Sequence, residues 1–169
     1  MDESAIRQQL LTTTFTKQQL LSRMRLLRSY AELVSFTSLQ SSLTEYLSLQ
    51  NVVLDEQKII TEWYDLAVKL AAGKPLINAV KKIENALEGV PTLALYLPKT
   101  NDGESVTTSC LWFRQHLNPE IVLEVSVKPE LVAGMAFVWN GKYRDFSLHY
   151  FFEKHKAEIK QIIDEYTVS

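Results

Sequence analysis

Residues 121–147 read IVLEVSV (121–127), KPELVAG (128–134), MAFVW (135–139), NG (140–141) and KYRDFS (142–147). Ile121, Leu123, Val125 and Val127 alternate with Val122, Glu124, Ser126 and Lys128, the period-two pattern of a strand covered on one side. Asn140-Gly141 tolerates positive φ at both central positions of a two-residue turn, so residues 135–139 and 142–146 should form a tight hairpin. In that register Trp139 faces Lys142 and Phe137 faces Arg144. Between the first strand and the hairpin, Pro129 ends the strand and fixes φ, while Gly134 permits a close backbone approach. Asp145 and Ser147 can together cap a following helix.

The pattern extends on both sides. Leu93, Leu95 and Leu97 alternate with Thr92, Ala94 and Tyr96 as in a strand, ended by Pro98. After a polar turn at 99–104, Val106, Cys110, Phe113 and Leu117 mark one face of a helix. Beyond Ser147, the residues Leu148, Phe151/Phe152, His155, Ile159, Ile162/Ile163 and Tyr166 recur at helical spacing, giving one long amphipathic helix at the end of the chain. The carboxy-terminal part is thus expected as a small β-α-β-β-α unit, with helices covering one sheet face. Tyr143, Phe146, Tyr150, Phe151 and Phe152 are expected in the core between hairpin and last helix rather than on a base-stacking surface.

The amino-terminal half carries only helical signals. One stripe comprises Leu20, Met24, Leu27, Ala31 and Val34, a second Leu39, Leu43 and Tyr46/Leu47, and a third Ile59/Ile60, Trp63, Leu66/Ala67 and Leu70. Gly73 and Pro75 mark the end of one helix and the start of the next, which turns Ile77, Val80, Ile83 and Leu87 inward. Gly89-Val90-Pro91 then breaks the helical pattern. The expected layout is α+β, with a helical bundle at 1–89 and an α+β domain at 90–169.

Composition narrows the function classes. The chain has 169 residues, 46% of them hydrophobic, and a net charge of −2, which excludes a disordered chain and permits a sizeable core. No apolar run approaches the roughly 20 residues that span a bilayer. The single Cys110 excludes an internal disulfide framework, and the first residues have no signal-peptide layout, so a cytosolic chain is expected. There are no internal repeats.

Chemical signals are sparse. Cys110 and His116 lie on opposed faces of their helix, and a buried inert thiol is the better reading of Cys110. His149 and His155 are six apart, the wrong spacing for a shared metal on a helix. No phosphate-cradling Gly-rich loop and no Gly-flanked nucleophilic Ser is present. The residues therefore point to no catalytic, cofactor or metal site; an enzyme would have to assemble one from scattered acids such as Glu124, Asp145 and Glu153. Lys17, Arg23, Arg25 and Arg28 form a basic stretch without an intervening acid, but residues 1–88 carry ten basic and ten acidic side chains, so nucleic-acid binding is not expected. The stretch reads as a solvated face, with docking of an acidic partner helix through residues such as Arg25 and Arg28 as the functional alternative.

Leu123 to Gly134 resembles the carboxy-terminal signature of the delta subunit of rotary ATP synthases, the counterpart of mitochondrial oligomycin-sensitivity-conferring protein. In that family an alternating strand runs into Asp-Pro-x-Leu-Ile-Gly-Gly, then a strand, a Gly/Asp turn, Asp-Gly-Ser and a closing amphipathic helix. The corresponding residues are Pro129, Leu131, Val132, Ala133 and Gly134, then Asn140-Gly141-Lys142, Asp145-Phe146-Ser147 and the helix from Leu148. Lys128, Ala133, Phe146 and His149 depart from the family pattern, so the roles of its acidic and arginine residues at 128 and 149 do not carry over. The likeness covers about the last 78 residues; upstream, where the family has a six-helix bundle with a Tyr-Ala motif, only Tyr30-Ala31 echoes it and the helical half is shorter.

The resemblance implies a non-catalytic stator connector with no cofactor. Its helical domain would grip the catalytic head and its carboxy-terminal domain the peripheral-stalk helices, so that it would be cytoplasmic and peripheral to the inner face of the membrane through the complex. The rival reading is a free-standing α+β adaptor or regulator. The last helix is the expected stalk contact: nineteen residues rise about 28 Å whereas a five-residue strand spans roughly 17 Å. Its distal Ile159, Ile162, Ile163 and Tyr166 should therefore stand partly exposed.

Overall fold

A computed structural model of the chain describes residues 2–36, 42–99 and 103–167, with side chains in the last helix described up to Asp164. Leu39, part of the 99–104 turn and the Tyr166 side chain lie outside the described residues. The chain forms two compact units that divide between Pro91 and Thr92, and each is described by itself.

The first unit is helical: α1 (Glu3–Leu11), α2 (Lys17–Phe36), α3 (Leu43–Leu49), α4 (Leu54–Ala71) and α5 (Leu76–Leu87). Asp2 caps α1 through the Ala5 N–H at 2.8 Å, and Ser42 with Glu45 forms a reciprocal capping box on α3. The apolar stripes turn inward as their spacing requires. Leu27, Ala31, Leu47, Ile60, Ala67, Val80 and Ile83 are completely buried. Val34, the last member of its stripe, is exposed. Tyr30 joins Leu26, Leu43, Leu47 and Ile60 in one cluster, its ring 5.4 Å from Tyr46 and 5.6 Å from Tyr64. Between α4 and α5 the left-handed position is taken by Ala72 as well as Gly73, and Pro75 precedes α5 rather than opening its first turn.

One residue of the basic stretch is not solvated. Arg23 is only 1% exposed. Its guanidinium forks onto Glu56 of α4, with Nε to Oε1 at 2.5 Å and Nη2 to Oε2 at 2.8 Å. Its remaining amino group donates to the Thr13 carbonyl and the Thr14 hydroxyl. Arg suits such a site because its planar fork satisfies a carboxylate bidentately and leaves donors over for the α1–α2 turn.

The second unit is built on a mixed four-stranded sheet, ordered β2-β1-β3-β4: β1 (Thr92–Leu97), β2 (Val122–Val127), β3 (Gly134–Trp139) and β4 (Lys142–Ser147). The sequence string β-α-β-β-α thus counts one strand too few, since both arms of the hairpin are separate strands beside the two earlier ones. The strands β1 and β2 are parallel, joined by α6 (Gly103–His116), and β3 and β4 follow antiparallel. The hairpin register pairs Trp139 with Lys142 and Phe137 with Arg144, as Asn140-Gly141 requires, both turn residues having positive φ.

Leu93, Leu95, Leu123, Met135 and Phe137 share one sheet face, and α6 lies on it. Cys110 and Phe113 of α6 are buried there, the Phe113 ring 5.0 Å from that of Phe137. The cover does not reach the whole face: Val125 and Val127 at the far end of β2 remain exposed. The opposite face is more polar, with Lys128 Nζ 4.0 Å above the Tyr96 ring.

The last helix, α7 (Leu148–Thr167), follows Ser147 without a single loop residue. It runs beside β4 and the 3-10 turn at Pro129–Leu131. The expected core between hairpin and helix is not formed: Tyr143, Phe146, Tyr150, Phe151 and Phe152 are all exposed. The reason is geometric. The helix leaves β4 directly and runs beside that edge strand and the 3-10 turn, while α6 on the apolar face does not extend over Phe146.

Candidate functional site

Pro129, Leu131, Gly134, Asp145 and Ser147, read above by their resemblance to the delta-subunit pattern, converge on one junction, the point where α7 leaves the sheet. Pro129 opens the 3-10 turn, and Leu131 at its end is buried. The Ala133 N–H then reaches back to the Leu131 carbonyl at 2.7 Å, closing a three-residue turn about Val132, whose φ of 65° and ψ of −57° are rare and strained for a β-branched residue. Gly134 has φ +82° and pairs with Ser147; a Cβ at this position would strike the Phe146 carbonyl oxygen. Only glycine permits both the dihedral and the approach.

From the other side, Asp145 accepts from the Ser147 N–H at 2.9 Å and from the Tyr143 hydroxyl at 3.0 Å. The Ser147 hydroxyl accepts from the Tyr150 N–H at 3.1 Å, capping α7, and the Leu148 N–H donates to the Ala133 carbonyl at 2.9 Å. Burial pushes the Asp145 carboxyl up, but hydrogen bonds from Ser147 and Tyr143, with His149 nearby, together hold it below the ordinary value. The junction is therefore an anchor: it fixes the direction in which α7 departs.

Along α7 no side chain among those described is fully buried. Ile162 and Ile163 are 53% and 55% exposed, and Ile159 is half-buried. Phe151 packs against Phe152 and against His155, whose Nδ1 is 3.0 Å from Glu158. Leu148, Phe152, His155, Ile159 and Ile162 are spaced four, three, four and three apart, which is the spacing of a heptad seam. The apolar surface begins at the first turn of the helix, earlier than sequence length arguments place it.

The two arginines singled out as partner contacts differ. Arg25 is exposed. Arg28 is tied within its own unit, to Glu32 at 3.0 Å and Glu84 at 3.3 Å, and its hydrogen bond to Glu32, with the Glu84 charge, raises its pKa. Cys110 and His116 do not meet. The Cys110 thiol lies against the Ile121 carbonyl, and burial pushes its pKa up, with Arg114 opposing. His116 stacks on Trp112 and contacts that residue's carbonyl. Glu124, Asp145 and Glu153 form no common cluster: Glu124 is on β2 and Asp145 on β4, at opposite edges of the sheet, and Glu153 is an exposed α7 residue beside Lys156. No group of three or more His, Cys, Asp or Glu able to hold a metal is found among the described residues. No described helix is long and apolar enough to cross a membrane. No known protein-family profile and no curated protein matches the chain.

Proposed function

We propose that the chain is a non-catalytic connector, and that α7 is the surface with which its carboxy-terminal unit holds a partner. The observation that carries this is a twenty-residue amphipathic helix, capped and anchored at its start, whose apolar side chains are exposed or half-buried along its described length. A contiguous apolar surface of that kind costs solubility unless it is covered by a partner. A seam at heptad spacing fits another helix, laid lengthwise.

On its likeness to the delta subunit of rotary ATP synthases, the connector is a stator part. The helical unit would hold the catalytic head, and α7 the helices of the peripheral stalk, which places the chain at the inner face of the membrane only through the complex. A stator must resist torque, and an extended helix-to-helix contact distributes load over many side chains. The exposed Arg25 is available to the head, whereas Arg28 first has to leave Glu32 and Glu84.

Affinity purification of the tagged intact chain from its own cells tests this reading. Recovery of catalytic-head and stalk subunits together supports it. Stable recovery of a different partner, with no synthase subunit, replaces the stator role by a free-standing adaptor.

A further inference from the structure

A second apolar surface of the carboxy-terminal unit is lined by no residue of α7. On the sheet face that carries α6, an open groove of about 500 Å³ runs between that helix and the hairpin. Thr108, Ser109 and Trp112 form one wall, and Met135, Phe137 and Phe146 the floor. The floor is continuous aromatic surface, since Phe146 stacks on Phe137 with centroids 6.0 Å apart and ring planes 18° from parallel. Trp112 and Phe146 are 52% and 64% exposed. Phe113, buried at the base of the groove, packs edge-on against both Trp112 and Phe137, so the exposed rings rest on the core without being enclosed by it.

Charge at the two ends of the groove is unequal. Arg144 is opposite Phe137 in the hairpin, Lys142 is opposite Trp139, and both therefore project on the groove side. Lys154 joins Arg144 around the adjoining hollow, which shares Phe146 with the groove. Asp145 lines that hollow as well, but its carboxylate is already engaged, accepting from Tyr143 and Ser147. At the opposite end stands Glu104, one helical turn before Thr108 on α6.

We propose that this groove docks a single amphipathic helix of a partner, with apolar anchors against Trp112, Met135 and Phe146 and with acidic residues in its last turn facing Arg144 and Lys142. An apolar helix face laid in a hydrophobic groove supplies the affinity, and aromatic side chains at the centre of the contact carry most of it. The orientation follows from charge. Carbonyls at a helix C-terminus carry partial negative charge, so that end, reinforced by acidic side chains, belongs beside the cations. The proposal does not rest on the stator reading, because it uses neither the α7 seam nor the helical unit.

Two synthetic helical peptides of identical composition test it against the intact chain. Both carry Leu and Phe at i, i+3, i+4 and i+7; one has its glutamates in the last turn, the other in the first. Nitrogen-15 chemical-shift titration should show the first peptide perturbing the Trp112 indole and the Phe146 amide, and binding several-fold more tightly than the second. Phe146→Ser should weaken it about tenfold, and Arg144→Glu should abolish the preference between the two peptides. Absence of binding, shifts confined to residues 155–164, or equal affinity for both peptides overturns the proposal. A chain ending at Ala157 separates this site from the distal half of α7: with its thermal transition unchanged, groove binding should survive the truncation, and its loss from a folded chain would overturn the assignment.

Discussion

The helices α2 and α7 are each 20 residues long and amphipathic, yet they end in opposite environments. In α2 the stripe from Leu20 to Ala31 is buried, together with Arg23, whose charge is met by Glu56. In α7 the stripe is no less regular and its described members are exposed or half-buried. Periodicity thus states that a helix has a face to cover and leaves open what covers it. For α2 the cover is the helices of its own unit. For α7 the junction at Gly134, Asp145 and Ser147 directs the helix along the edge strand, where its own sheet supplies no cover.

The contrast can be broken most forcefully at the buried ion pair. Glu56→Ala leaves the Arg23 guanidinium in the interior without its carboxylate, and should cost about 3 kcal/mol. Urea denaturation followed by far-ultraviolet circular dichroism measures this; a loss below about 1 kcal/mol would mean that the pair behaves as a surface contact. A matched pair of truncations sharpens the same contrast. Leu27→Ala in α2 should cost 2–5 kcal/mol, whereas Ile162→Ala in α7 should change stability by less than about 0.5 kcal/mol. Similar losses at the two sites would show that α7 is packed in the free chain.

The anchor of α7 is open to a backbone test. Gly134→Val forces a β-branched residue into positive φ and drives its Cβ against the Phe146 carbonyl, for a cost of about 1–3 kcal/mol. An unchanged melting temperature would contradict that geometry. The smallest expected effect is a pH dependence. Asp145 is held below its ordinary pKa in the folded chain, so its contribution is present above the unfolded value near about pH 4 and is lost as pH falls through the folded value. Asp145→Asn should therefore flatten the acid limb of the melting-temperature profile, and an identical profile would remove Asp145 from the linkage.

Features set by near neighbours in the chain were legible in the sequence. Asn140-Gly141 determines the hairpin register, the alternating leucines determine β1, and the Ser147 cap lies next to the helix it starts. What was not legible depends on distant partners. Arg23 reads as solvated because no acid is near it along its own helix; Glu56 is 33 residues away. Phe146 and Phe151 read as core because aromatic residues at strand and helix spacing usually are. Phe146 lies on the edge strand β4 where α6 does not cover it, and Phe151 on a helix that leaves that strand without a loop, an arrangement that shows only when the four strands are placed in order. The hydrogen bond from Leu148 to the Ala133 carbonyl is also tertiary, so the signature residues read separately as strand end, turn and cap rather than as one junction.

The central claim, that α7 is a docking helix rather than part of the fold, is tested most directly by purifying the intact chain and a chain ending at Ala157 in parallel from the same cells. On the proposed stator reading, the shortened chain keeps its far-ultraviolet and thermal transitions and still recovers catalytic-head subunits, but no longer recovers the peripheral stalk. Recovery of the stalk by both chains, or unfolding of the carboxy-terminal unit on removal of residues 158–169, would contradict it.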